Sequence, residues 1–83
     1  MRAQAPSFTA AVDQATATVR VRGHVDRLGA ELMCDAVVGL QRSGHRHVAV
    51  QLLPPATLDA EARRVLADLA ARLAEDDVQL DVR

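Results

Sequence analysis

The residues with the most chemical content gather around two aspartates. Val21-Arg22-Gly23-His24-Val25-Asp26 closes an alternating segment, and Thr57-Leu58-Asp59-Ala60-Glu61-Ala62-Arg63 opens a helical one. Each aspartate precedes an apolar stripe of helical period, where its carboxylate can accept free amide protons of a first turn. Glu61 adds a negative charge where unpaired N–H groups and the positive end of a helix dipole tolerate an anion. Thr57 is the nearest hydroxyl and reads as a cap or turn residue. These side chains suit binding, and no nucleophile elbow, phosphate loop or paired-glycine motif accompanies them. The chain is therefore expected not to be an enzyme and to need no cofactor.

The remaining candidates read as ordinary surface. His45 and His47 have i, i+2 spacing on a strand, but zinc takes three or four protein ligands. Only His24, Cys34 or scattered carboxylates could complete such a set, so a solvated strand edge is expected and no metal. Cys34 follows Met33 on a helix with no basic neighbour in sequence, which argues against a reactive thiol. Glu75-Asp76-Asp77 is a charge run at a helix C-terminus, where it opposes the dipole and predicts a frayed or turning end. Arg20 and Arg22 make at most a small basic strip. One aromatic residue in the whole chain argues against stacking on nucleic-acid bases.

Bulk properties narrow the class further. Eighty-three residues make one domain, and the formal net charge is -1, so neither nucleic acid nor an anionic membrane is favoured by the overall field. All ten basic residues are arginine and lysine is absent, a pattern that coding bias explains. A single cysteine cannot form an internal disulfide and fits a reducing compartment. No apolar run reaches signal-peptide or membrane-spanning length, so a cytoplasmic protein without membrane insertion is expected, with residues 1–6 disordered.

The elements that must position the two aspartates follow from periodicity. Phe8, Ala10 and Val12 alternate, Asp13-Gln14 turns the chain, and Val19 and Val21 alternate again over 15–23, which predicts a hairpin with one buried face. Leu28, Leu32, Ala36 and Leu40, joined by Met33 and Val37, predict an amphipathic helix from Asp26 to the Ser43-Gly44 stop. Val48, Val50 and Leu52 predict a strand over 45–53, ended by Pro54-Pro55. Ala62, Val65, Leu66, Leu69, Ala70 and Leu73 stripe a second helix over 59–76, with Arg64, Asp68 and Arg72 at pairing distance on its outer face. Val78, Leu80 and Val82 predict a last strand. Each strand keeps one polar or small-residue face, unlike strands covered on both sides. The expected fold is a two-layer α/β domain: a four-stranded mixed sheet in order 1-2-3-4 with two helices on one face.

Three stretches together resemble the STAS domain of anti-sigma factor antagonists and of sulfate-transporter tails. Val21 to Asp26, followed by Ala30 and Glu31, is similar to the family's strand ending in Gly-x-hydrophobic-Asp. Gly44 through Leu53 is similar to its glycine and buried strand. Thr57 through Leu66 sits where the family carries hydrophobic-Asp-Ser-Ser/Thr-Gly-Leu. The resemblance covers residues 8–82, making 1–83 a single STAS-like domain. It implies a partner-binding surface of Asp26, Arg27, Asp59, Ala60, Glu61 and Arg63. The family's phosphorylated Ser or Thr lies in the third stretch, where this chain has Ala60 and Glu61; the following glycine is Ala62, and Gln51 replaces the acidic residue ending the third strand. Glu61, as the phosphoacceptor equivalent, cannot accept phosphate. It is either a fixed negative charge in place of a reversible one or simply an acidic first turn. Arg63 replaces an apolar residue and could meet an acidic partner.

The function the resemblance implies is regulation by docking on an anti-sigma factor or kinase-like protein. Two alternatives stay open: a STAS-like subunit docking on an ABC transporter ATPase, and a signalling-scaffold component that self-associates into large homo-oligomers; a homodimer is a separate open partner.

Overall fold

The computed structural model describes residues 8–83; the expectation of disorder at residues 1–6 falls outside them. Seven elements follow one another: β1 (Phe8–Asp13), β2 (Thr18–Val25), α1 (Arg27–Arg42), β3 (His47–Leu52), β4 (Thr57–Leu58), α2 (Ala60–Glu75) and β5 (Gln79–Val82). The sheet runs β1-β2-β3-β5, and β4 pairs beside β2 off that path. β1 is antiparallel to β2, whereas β2–β3 and β3–β5 are parallel. The protein is thus a small α/β domain with a mixed sheet and two helices. Its four longer strands lie in the expected order, and β4 is an addition the sequence did not announce.

One core holds the layers together. Val19, Val21, Val25, Val48 and Val50 are fully buried, as is Val37 of α1. Met33 and Leu40 of α1 and Leu66, Leu69 and Leu73 of α2 join the same cluster. The alternate strand positions Arg20, Arg22 and His47 are exposed, so the valine face carries both helices and the polar face meets water.

Local chemistry sets the element ends. Asp13 Oδ1 accepts from the N–H groups of Ala15 (3.0 Å) and Thr16 (3.3 Å), an Asx-type turn that offers the backbone an alternative to the ladder. These bonds, Thr16 first and then the Arg20 guanidinium at 3.3 Å, hold the Asp13 carboxyl below its ordinary pKa. The turn runs through Ala17 at φ 52°, so β2 starts at Thr18 and not at the expected residue 15, and it reaches Val25.

Both helices end in the same way. At α1, Gly44 N–H donates to Gln41 O (2.9 Å) and His45 N–H to Leu40 O (3.2 Å); at α2, Asp77 N–H donates to Ala74 O (3.1 Å) and Val78 N–H to Leu73 O (2.9 Å). These paired bonds are Schellman motifs, which need a left-handed residue. Gly44 supplies it at φ 103° and Asp77 at φ 59°. The run Glu75-Asp76-Asp77 therefore turns the chain, as its charge pattern predicts. Since only glycine adopts that conformation without steric cost, Asp77→Gly should raise the free energy of unfolding by about 0.5–1 kcal/mol, measured by urea denaturation.

The buried face of α1 differs from the expected one. Gly29, Ala30, Met33, Val37 and Leu40 face the core, whereas Leu28 and Leu32 are 66% and 55% exposed. The reason lies at Gly29: a Cβ there would come within 2.7 Å of the Phe8 ring. The helix therefore settles on its small residues, with the ring of β1 seated on the glycine, and that rotation turns the two leucines outward. The expected ion pairs of Arg64 and Arg72 with Asp68 do not form among the described residues. Asp68 and Arg72 instead line an open groove of about 370 Å³ between the helices with Glu31, Cys34, Asp35 and Val65.

Candidate functional site

The two aspartate segments meet at the ends of β2 and β3. Pro54-Pro55 follows β3, and proline has no N–H to extend a ladder. The chain turns there, with Ala56 N–H donating to Leu53 O (2.9 Å), and comes back along β2. His24 then stands opposite Thr57 and Val25 opposite Leu58, and Asp59 N–H donates to Val25 O (3.1 Å). This two-residue strand brings the start of α2 against the segment that leads into α1.

Each aspartate caps its helix. Asp26 Oδ1 accepts from Gly29 N–H and Asp59 Oδ1 from Ala62 N–H, both at 2.8 Å. The two carboxylates thereby satisfy first-turn donors while staying accessible. Their link is His24, near the end of β2. His24 Nδ1 and Thr57 Oγ1 share a hydrogen bond of 2.8 Å, and His24 Nε2 lies 3.9 Å from Asp59 Oδ2. Imidazole, hydroxyl and carboxylate are all on the surface. A histidine three residues before a glycine-turned helix and a threonine two residues before a capping aspartate carry no shared periodicity. Only the β2–β4 register reveals the pair.

The other predicted site residues have distinct surroundings. Ala60 and Glu61 are exposed in the first turn of α2, where Glu61 is the acidic residue facing the positive end of the helix. Glu61 makes no ion pair with the described residues. Arg27 is not free: its Nε donates to Glu31 Oε2 at 3.1 Å along its own helix. Arg63 is exposed and lines an open groove of about 220 Å³ with Leu58, Leu66, Ala67 and Val82. Arg63 thus stands at the edge of an apolar groove. Together these groups offer carboxylates at the start of α2 and one guanidinium over a greasy depression on one flank of that helix, with Glu61 turned about 200° from Arg63 onto the other flank.

The sites expected to be ordinary can also be placed. His45 precedes β3, half-buried at the Schellman turn, so it shares no strand face with His47. His47 Nε2 instead lies 2.6 Å from Asp81 Oδ2, with Gln79 Nε2 donating to Asp81 Oδ1 at 3.2 Å. The His47 bond, then that from Gln79, lowers the Asp81 pKa. A depressed carboxylate contributes stability that is present above its unfolded pKa and lost as pH falls through its folded one. Between about pH 5 and about pH 3 the urea midpoint should therefore fall less steeply in His47→Ala than in the parent chain. Burial raises the Cys34 thiol pKa, with Arg72 opposing it, which keeps the thiol protonated near neutral pH. No cluster of three or more metal-ligating side chains occurs among the described residues. No helix among them is long and apolar enough to cross a membrane.

Comparison with known proteins gives one informative match. The solved structure described as "Crystal Structure Analysis of Mglu" superposes on 80% of this chain with a TM-score of 0.60 and 30% identity. The chain spans 17% of that protein's length, so the similarity concerns one module of a much longer chain. No protein-family model and no curated protein matches the sequence.

Proposed function

We propose that this chain is a STAS-like, non-enzymatic regulatory module that docks on a protein partner, an anti-sigma factor or kinase-like protein in the first instance. The observation that carries the reading is the surface where β4 joins the capped start of α2 to the segment before α1. It presents Asp26, Asp59, Ala60 and Glu61 around the start of α2, with Arg63 on the flank of that helix that lines the groove of Leu58, Leu66 and Val82. The mixed sheet with its strand order and the pair of helices are compatible with a STAS-like layout. Arg27, engaged with Glu31, sits at the rim of this surface.

The mechanism is competitive. Occupying an anti-sigma factor's docking face releases the sigma factor, and a fixed Glu61 makes that competition insensitive to phosphorylation at this site. Phosphoserine carries about −1.5 to −2 at pH 7, whereas a carboxylate carries one charge. A partner adapted to this chain therefore reads a single negative charge at the start of α2.

Titration calorimetry of the chain against purified anti-sigma factors and transporter ATPases of the same genome tests the reading. Saturable binding to an anti-sigma factor, lost on reversing the charges of Glu61 and Arg63, supports it. Binding to the ATPase through the same residues keeps the docking surface and replaces the partner. Binding that ignores those residues overturns the site, and binding to neither class overturns the function.

A further inference from the structure

β1 is the edge of the sheet, and the face it turns towards the helices is incompletely covered. Its register with β2 sets Phe8, Ala10 and Val12 opposite Gly23, Val21 and Val19, on the same side as the buried valines. Yet Ala10 is exposed and Val12 is 45% exposed. Alongside, α1 shows Leu28 and Leu32 on the flank turned away from α2, the flank nearer the Phe8–Gly29 contact. Strand and helix thus form an apolar step along one side of the molecule, and among the described residues nothing pairs with the outer side of β1. Natural edge strands are usually blunted by charge, proline or a bulge. From Phe8 to Val12 this strand has no charge and no proline.

We propose that a second copy of this chain occupies the step, pairing β1 with β1 antiparallel about a twofold axis through Ala10. The sequence of the strand fits itself in that register. Phe8 falls opposite Val12 of the second copy, an aromatic–β-branched cross-strand pair on the helix side. Ala10 falls opposite Ala10, and Thr9 opposite Ala11 on the other side. An even sum of paired residue numbers keeps both helix layers on the same side of a continuous eight-strand sheet, because successive side chains alternate faces.

The helix flank obeys the same axis. Phe8 is level with Gly29, and two strand residues advance about 6.6 Å, which corresponds to roughly four residues of α1. Leu32 therefore lies close to the axis and meets its own copy, while Leu28 meets Ala36. No like charges oppose one another along the strand. Its one charged residue, Asp13, points to the other face and is held by Arg20 at 3.3 Å. A foreign partner would have to reproduce this spacing, whereas a second copy has it by symmetry.

Sedimentation equilibrium and light scattering on the full chain, over a wide concentration range, test the proposal. The expected mass is twice 8.9 kDa. Val12→Lys and Leu32→Asp should each return it to the monomer value with unchanged circular dichroism, since both side chains are about half exposed in the single chain. In a Cys34→Ser background, a short bismaleimide should link two Ala10→Cys chains and leave Val82→Cys chains, labelled on β5, unlinked. A monomer at every concentration overturns the proposal, as does a dimer indifferent to both substitutions. A dimer that disappears when residues 1–7 are deleted, with the fold intact, also overturns it by assigning the contact to that segment.

Discussion

Leu40→Ala should lower the free energy of unfolding by about 3 kcal/mol, within the ~2–5 kcal/mol range for leucine truncation in a core. Leu40 is 1% exposed and sits in the last turn of α1, where its carbonyl also accepts the Schellman bond from His45. Truncation removes apolar surface and leaves a void between the valines of β2 and β3 and the helix. A domain of this length has a total stability of roughly 4–12 kcal/mol, so the variant should unfold at much lower urea. Circular dichroism is the suitable probe, since the chain has neither tryptophan nor tyrosine. With both changes made in the Val12→Lys chain, which keeps the protein monomeric, Leu32→Ala is the matched comparison: at 55% exposure in the single chain it should cost under about 1 kcal/mol. Equal losses for the two would refute the stripe described for α1.

The second large effect is expected in binding. Combining Glu61→Arg with Arg63→Glu should weaken the docking partner's affinity by about 100-fold or more, the scale set by truncating a desolvated charge contact. Both side chains are exposed and neither forms an ion pair within the described residues, so the fold should barely register the change. The one internal cost is a cation in the first turn of α2, about 0.3–1 kcal/mol against the dipole. Arg64→Glu, one residue further along the same helix, changes a comparable charge outside the groove and should leave affinity within about threefold. Installing a hydroxyl separates the two meanings of Glu61. If the surface descends from a phosphorylated one, Glu61→Ser or Ala60→Ser should become a substrate for an anti-sigma kinase that binds the chain, read by mass spectrometry. If Glu61 is only an acidic first turn, both variants should bind unchanged and remain unmodified.

How far the sequence carries depends on whether a feature is periodic. Asp26 and Asp59 are legible as caps because each precedes a long helical stripe, and α2 buries Ala62, Leu66, Leu69 and Leu73 as its spacing predicts. The strand faces are equally legible, since Val19, Val21, Val48 and Val50 alternate with polar neighbours. α1 was harder. Its apolar residues cover more than half of its circumference, so Leu28-Leu32-Ala36-Leu40 and Gly29-Met33-Val37-Leu40 are both plausible stripes. The choice belongs to a contact 21 residues away in sequence, the Phe8 ring on Gly29. β4 has two residues, fewer than any period can show, and with it the His24–Thr57 bond stayed hidden. Arg27 and Glu31 stand at i, i+4 in the sequence, a spacing that already makes their ion pair legible.

The Phe8–Gly29 contact also gives the molecule a magnetic signature. With no other phenyl or indole in the chain, the ring current at Gly29 has a single benzenoid source. The α-proton shifts of that glycine therefore report directly on whether the first strand is seated, residue by residue and without any introduced label.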